Sequence, residues 1–243
     1  MARKVLLVTG ASSGIGAAVA RLAAADHDLA LHFNRDVAGM EAVAAACHED
    51  GAAVSLHRAD LSEPARVDPL FAEIDAAHGR LDRLVNNAGV VDAAAEVADF
   101  TAERVARMVA INLTSPMLVA SRAVRRMGTG GAIVNVSSAA AKHGSAGQYV
   151  DYAATKGGLE VFSKGLAHEV AARGIRVNAV RPGIIDTPIH AKGGQPDRVE
   201  RLGATVPMRR PGTAEEVARA ILWLLSDHAS YVTDTVLDVS GGR

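Results

Sequence analysis

Short runs of β-branched and leucine residues alternate along this chain with helix-length, alanine-rich stretches, and that alternation constrains the fold more than any other feature. The strand candidates are Val5–Thr9, Leu29–Phe33, Ala53–Arg58, Arg83–Asn86, Gly131–Ser137, Arg176–Arg181 and Val236–Val239. Between them lie Gly14–Ala25, Val37–Asp50, Glu63–His78, Ala102–Met127, Tyr152–Ala172 and Ala214–Leu225, each long enough for a helix. Strands separated by helices are joined by right-handed crossovers, so the pattern predicts an α/β fold, a doubly wound parallel sheet with helices on both faces. No Pro/Ser-rich linker, repeat or low-complexity tail divides the 243 residues, which read as one domain.

Aromatic residues make up only 3% of the chain against 49% hydrophobic, so the core is to be built from Ala, Val, Leu and Ile, as suits helices on a parallel sheet. A net charge of −1 supplies no field to recruit nucleic acid or an acidic membrane surface. Arg122, Arg125 and Arg126 form a local basic group that reads as a solvated helix face. The single cysteine, Cys47, excludes an internal disulfide and sits in an alanine run as a helix packing position. The apolar stretch Val5–Val8 is too short for a secretory segment, and nothing approaches a membrane span. The expectation is a soluble, cytoplasmic protein with no metal, no nucleic-acid partner and no membrane partner.

In sheets of this kind ligands bind beyond the carboxyl ends of the strands. After the first strand comes Thr9-Gly10-Ala11-Ser12-Ser13-Gly14-Ile15-Gly16, opening a helix. Glycines there allow a tight turn and let a pyrophosphate approach backbone N–H groups at the positive helix end. The second strand ends Asn34-Arg35-Asp36, with Asn34 18 and Arg35 19 residues beyond Gly16. An acidic residue at about 20 would hold the ribose 2′-OH of NAD; a neutral Asn34 followed by Arg35 favours the 2′-phosphate of NADP(H) over NAD(H), with Asp36 near enough to swing in. Asp60-Leu61 follows the third strand, where the carboxylate either accepts from an adenine amino group or caps the next helix. Asn86-Asn87-Ala88-Gly89 ends the fourth, and there a close approach of backbone to cofactor and a tie between strands are both open.

Tyr152 and Lys156 stand four residues apart on a helix and share one face. A phenol of ordinary pKa near 10 is a poor base, and lowering it by about 3 units needs roughly 4 kcal/mol, within reach of a lysine together with a positive nicotinamide ring. Ser138 closes the fifth strand 14 residues before Tyr152, with Ser137 beside it and facing the other way if the strand persists. Asn112 precedes Pro116 by four residues, and proline has no N–H for the Asn112 carbonyl. The freed carbonyl is expected to hold a water that links Lys156 to solvent.

Taken in order, Thr9-Gly10-x-x-x-Gly14-x-Gly16, Asp60, Asn86-Asn87-Ala88-Gly89, Asn112, Ser138, Tyr152-x-x-x-Lys156, Asn178, Pro182-Gly183 with Thr187, and the closing Leu237-Asp238-Val239-Ser240-Gly241-Gly242 resemble the short-chain dehydrogenase/reductase superfamily from end to end. The resemblance implies a Rossmann-like fold and a catalytic set of Asn112, Ser138, Tyr152 and Lys156. It also implies that Lys156 bonds the nicotinamide ribose and that Ile185 and Thr187 border the nicotinamide amide. Assembly into a homotetramer or homodimer through the helices of Asn112 and Tyr152 follows from the same resemblance, and Ser138 rather than Ser137 is preferred on it. The Ser138–Tyr152 interval is one residue longer than usual, which places an insertion in the 142–148 loop, and Asp234 stands where a glycine is usual.

Residues 188–210, rich in Gly, Pro and charge, are expected to form a substrate lid, with His143 and His190 as candidate polar contacts or plain loop histidines. The reading is an NADP(H)-dependent alcohol–carbonyl oxidoreductase with a small-molecule substrate and Tyr152 as its acid/base. The alternatives are an NAD-dependent dehydrogenase of the sugar-alcohol or glucose type, and a non-catalytic NADP-binding sensor.

Overall fold

A computed structural model describes residues 3–243. Strands β1 (Lys4–Val8), β2 (His27–Phe33), β3 (Val54–Arg58), β4 (Arg83–Asn86), β5 (Ala132–Val136), β6 (Arg176–Pro182) and β7 (Val236–Val239) form one sheet. Its order is β3-β2-β1-β4-β5-β6-β7 and every pairing is parallel. The crossovers are carried by helices α1 (Gly14–Ala23), α2 (Val37–Glu49), α3 (Val67–His78), α4 (Ala102–Val109), α5 (Ser115–Arg126), α6 (Ala140–His143), α7 (Val150–Val170), α8 (Ile189–Lys192), α9 (Arg198–Gly203) and α10 (Ala214–Leu225). The winding reverses between β1 and β4, which opens a crevice at the carboxyl end of β1.

Two cores flank the sheet. On one face Val19 and Ala20 of α1, Met40 and Val43 of α2 and Ile221 and Leu224 of α10 are buried. On the other, Leu70, Phe71 and Ile74 of α3 meet Val119 and Ala123 of α5 and Ala167 of α7. Among the described residues Phe33 and Phe71 are the only aromatic members of these buried clusters, so the cores are aliphatic as the composition requires. Cys47 packs in the first core, where burial pushes its thiol up to about 11. The basic group on α5 is a solvated face: Arg122 pairs with Asp68 and Arg126 with Asp75 on α3. Among the described residues no helix is long and apolar enough to cross a membrane.

Three expectations are corrected. The stretch 102–127 is not one helix but α4, a π-helical turn at Ala110–Thr114, and α5. Pro116 removes a donor just past that turn, and the Asn112 side chain is drawn inward to Val90, so an extra residue is accommodated where a regular helix would carry its hydrogen bonds straight through. Secondly, the segment after β3 opens with a 3₁₀ turn at Pro64–Arg66 and α3 begins only at Val67. Asp60 therefore caps no helix; its carboxylate accepts from Ser62 N (2.9 Å) and Ser62 Oγ (2.7 Å), which hold its pKa below the usual range. Thirdly, His190 is no solvated loop histidine, because its Nε2 is 3.0 Å from the Ile185 carbonyl oxygen.

The glycine loop is built by contact. A Cβ on Gly16 would stand 2.3 Å from the Gly10 carbonyl oxygen and 2.5 Å from Asn87 Nδ2. Gly10 itself has φ +67° and faces the Ala88 backbone, so β1 and β4 approach here as only glycine permits. Asn87 Nδ2 donates to the Thr9 (2.9 Å) and Gly10 (3.0 Å) carbonyls and fixes that approach. Asn86 ties the strands on the other side, donating to Asn135 Oδ1 (2.9 Å) and the Pro116 carbonyl (3.1 Å).

Candidate active site

A cavity of about 1200 Å³ runs across the carboxyl ends of the central strands. Gly10, Ser12, Ser13, Gly14 and Ile15 line one end, with Asn34, Arg35, Asp60 and Leu61 beyond them. Asn87, Ala88 and Gly89 lie midway, and Ser138, Tyr152, Lys156, Pro182, Gly183, Ile185 and Thr187 line the opposite half. Two expected site residues do not reach it. Gly16 sits behind the loop against Gly10, and Asn112 is wholly buried beneath Gly89.

The dinucleotide end fits an anionic group. Ser13 precedes α1 in extended conformation without a side-chain cap, whereas α10 carries a reciprocal Thr213–Glu216 capping box. The first N–H groups of α1 are thus left facing the cavity at the positive helix end. Arg35 and Asp36 both border the cavity, and Asp36 Oδ1 is engaged as the cap of α2, accepting from Gly39 N at 3.0 Å.

His32, which the apolar run of β2 concealed, holds this end together. It is 2% exposed, with Nδ1 3.2 Å from Gly10 N and Nε2 3.0 Å from the Ala59 carbonyl. The neutral ring therefore accepts from the glycine loop and donates to the strand beyond. Burial pulls its pKa down to about 4 from an ordinary 6.5. The unfolded chain takes up this proton below pH 6.5 and the folded chain only near 4. Stability therefore declines as pH falls across that interval, by up to about 3 kcal/mol from this group. Urea unfolding at pH 7.5 and 4.5 checks this: His32→Asn is expected to reduce the acid-side decline, to which partly buried His78 and His190 also contribute, and an unchanged decline would remove His32 as a source.

At the reacting end, α7 presents Tyr152 and Lys156 to the cavity and β5 delivers Ser138. Burial pushes the Tyr152 phenol above its usual pKa, and its hydrogen-bonding neighbour Ser138 pulls it part of the way back. Lys156 is 3% exposed, donates from Nζ to the Val136 carbonyl at 2.8 Å and lies 5.7 Å from the Tyr152 ring centre. Burial lowers its pKa to about 8. Ser137 turns away, donating to Glu160 Oε1 at 2.6 Å, which separates the two adjacent serines by contact as well as by alternation. The Asn112 amide clamps Val90, accepting from its N and donating to its O, both at 2.9 Å. Between Ser138 and Tyr152 lie α6 and a loop with positive φ at Gly144, Ser145 and Gly147.

Further lining residues had no motif to mark them: His32, Arg107, Gln148, Tyr149, Arg198 and Arg243. Arg107 pairs with Asp92 at 2.8 Å, and Arg198 lies over the Tyr149 ring at 5.3 Å. Asn178 is structural, its amide joining the Val232 carbonyl and Thr235 N next to β7.

A parallel sheet of this order, a dinucleotide crevice and a Ser–Tyr–Lys group at its far end define an NAD(P)-linked oxidoreductase acting on CH–OH and C=O groups. The chain belongs to the short-chain dehydrogenase/reductase superfamily: a family model described as enoyl-(acyl carrier protein) reductase matches residues 10–243. It is 46% identical over 245 residues to the uncharacterized oxidoreductase YgfF of Escherichia coli K12, covering 98% of this chain and 99% of that one. It is 38% identical over 250 residues to 3beta-hydroxysteroid dehydrogenase 1 of Eggerthella lenta, covering 98% and 93%. A short-chain dehydrogenase from Burkholderia cenocepacia J2315, solved in complex with NADP, superposes with a TM-score of 0.92 at 31% identity, covering 98% of this chain and 97% of that one.

Proposed function

We propose that the protein interconverts an alcohol and a carbonyl with NADP(H), Tyr152 acting as the general acid in reduction and the general base in oxidation. The observation that carries this reading is the convergence of Ser138, Tyr152 and Lys156 on one cavity whose other end is an uncapped helix N-terminus beside Arg35. The bound nicotinamide supplies or accepts the hydride. Ser138 orients the substrate oxygen and Tyr152 passes the proton to it. Lys156 holds the ribose and, still mostly protonated at pH 7, favours the phenolate once the site is closed to water. Its ammonium donates to the Val136 carbonyl at 2.8 Å and is held beside the Tyr152 ring; Lys156 would hold the oxidised nicotinamide there, whose positive charge would favour the phenolate further.

Gly10, Ser12, Ser13, Gly14 and Ile15 take the pyrophosphate in this reading, with Asp60 and Leu61 beside the adenine, Asn87, Ala88 and Gly89 beside its ribose, and Pro182, Gly183, Ile185 and Thr187 around the nicotinamide. Gly16 and Asn112 act from behind, one by letting the loop close on Asn87 and the other by fixing Val90. The Asn112 carbonyl, which Pro116 cannot engage, is assigned the relay water to Lys156; a high-resolution map with a dry carbonyl there rules the relay out. Residues 188–210, which carry α8 and α9, cover the substrate. Exposed Val105, Val109, Met117 and Val161 on α4, α5 and α7 provide the face for a homodimer or homotetramer.

The cofactor preference rests on Arg35 with Asp36 engaged at its cap, and the NADP bound to the Burkholderia relative supports it. Arg35→Ala is expected to raise the NADPH Kd between about 10-fold and 100-fold, the range of one or two charge-assisted hydrogen bonds, and to move that for NADH little. Fluorescence titration of both cofactors measures it; an unaltered NADPH preference refutes the assignment. Oxidation of NADPH over a panel of ketones and aldehydes tests the reaction itself, and cofactor binding without turnover of any carbonyl would overturn it.

A further inference from the structure

The substrate half of the cavity carries two guanidinium groups, those of Arg198 and Arg243, with no Asp or Glu side chain paired to either among the described residues. Past β7 the parallel pairing with β6 continues one step, Gly183 N donating to the Val239 carbonyl at 3.1 Å, and Met208 N then donates to the Gly241 carbonyl at 3.1 Å. Residues 240–243 form a turn, with Ser240 Oγ donating to the main-chain oxygen of Arg243 at 2.9 Å. This places Arg243 on the cavity wall, and its Nη1 is buried with no hydrogen-bond partner among the described residues. Such a nitrogen keeps its desolvation cost without return.

Arg198 approaches from α9. It donates from Nη1 to Gln148 Oε1 (2.6 Å) and Gln195 Oε1 (2.9 Å), both neutral amides, and stacks on Tyr149. Gln148 and Tyr149 lie just ahead of Tyr152, so Arg198 belongs to the reacting end. Burial weakens its hold on its proton, and the nearby positive charge of Arg243 weakens it further. Other arginines around the site are answered: Arg104 by Asp151, Arg107 by Asp92, Arg181 by Glu160. Among the described residues the only Asp or Glu side chains lining the cavity are those of Asp36 and Asp60, both at the dinucleotide end.

Two guanidiniums brought together in a partly dry pocket repel each other and lose hydration, which an anion between them reverses. We infer that the substrate bears a carboxylate as well as the reacting carbonyl, and that Arg198 and Arg243 hold that carboxylate. The planar forks of the two side chains retain free N–H groups suited to its two oxygens. The inference rests on the carbonyl–alcohol reading above and narrows it to oxo acids and their hydroxy acids.

The test pairs acetoacetate, levulinate and pyruvate with their methyl esters as substrates for the full-length enzyme and NADPH. For the pair of best fit the acid is expected to exceed the ester in kcat/KM at least tenfold, the difference lying in KM. Arg243→Gln and Arg198→Gln are each expected to cut that acid-to-ester ratio at least tenfold. Calorimetric titration of the same acids into the NADP-loaded protein is read in parallel. Esters used as well as acids, an acid preference kept by both variants, or a loss of NADPH affinity in the variants equal to the loss of acid affinity overturns the inference. Acid binding that both arginine variants abolish, without turnover of any substrate, sustains the anion site while overturning the oxidoreductase reading. Absence of both binding and turnover for every acid overturns the inference itself.

Discussion

Tyr152→Phe is expected to lower kcat for NADPH-driven carbonyl reduction by about a thousandfold, in the range of a lost general acid. The substitution removes one oxygen from a side chain whose ring packs beside Lys156, and it leaves the Lys156–Val136 hydrogen bond and the Ser138 hydroxyl in place. Stability is expected to stay within about 1 kcal/mol of the parent, because the lost hydroxyl has Ser138 as its one hydrogen-bonding neighbour and no strand or helix hangs on it. NADPH affinity should also persist, since the pyrophosphate end is untouched. The decisive measurement is single-turnover hydride transfer with melting and cofactor titration as controls. Activity at the parental level in a folded, cofactor-loaded variant would mean that another group donates the proton, and the role given to Tyr152 would fall. Ser138→Ala should cost less, because the serine orients the oxygen without supplying the proton.

Much of this arrangement is legible in the residues, and the exceptions share a cause. Strand periodicity marked all seven strands to within two residues; in the central strands β1, β4 and β5, buried on both faces, the local pattern and the tertiary environment agree. Many motif residues follow strand ends, so sheet topology carries them to one cavity, while Tyr152 and Lys156 reach it on the first turns of α7. The π turn was not legible because it depends on the Asn112 amide finding Val90, a contact made between segments 22 residues apart. His32 was hidden in the same way. In sequence it interrupts an apolar strand, and only the fold reveals that Gly10 and Ala59 satisfy its ring. Asp234, where the resemblance leads to the expectation of a glycine, stands at φ +60°, a conformation glycine adopts freely, and its carboxylate lies 2.8 Å from His168 Nε2. Arg198 and Arg243 carry no motif, and only the fold brings both to the wall of one cavity.

Asp151→Ala is the substitution expected to cost the fold most, about 3–5 kcal/mol, for a reason separate from chemistry. The Asp151 side chain is 4% exposed and that of Arg104 13%, with Arg104 Nε 2.7 Å from Asp151 Oδ2. The same guanidinium donates to the Ala93 carbonyl at 2.7 Å and lies over Phe100, so it cannot leave for solvent without undoing the approach to α4. Removing the carboxylate strands a buried cation, whereas removing both charges does not. Arg104→Met combined with Asp151→Leu is therefore expected to recover most of the loss, and a double-mutant cycle by urea unfolding measures the coupling. In a chain of 243 residues a loss of that size lowers Tm by about 10 °C. A drop under about 1 kcal/mol would place the pair with exposed ion pairs and contradict the burial argument. Asp151 also stands at the positive end of α7, one residue ahead of Tyr152, and accepts from Tyr152 N at 2.8 Å. The first turn of α7 should therefore loosen along with the ion pair, so that kcat falls at temperatures well below the new Tm while NADPH affinity, set by the far end of the cavity, does not.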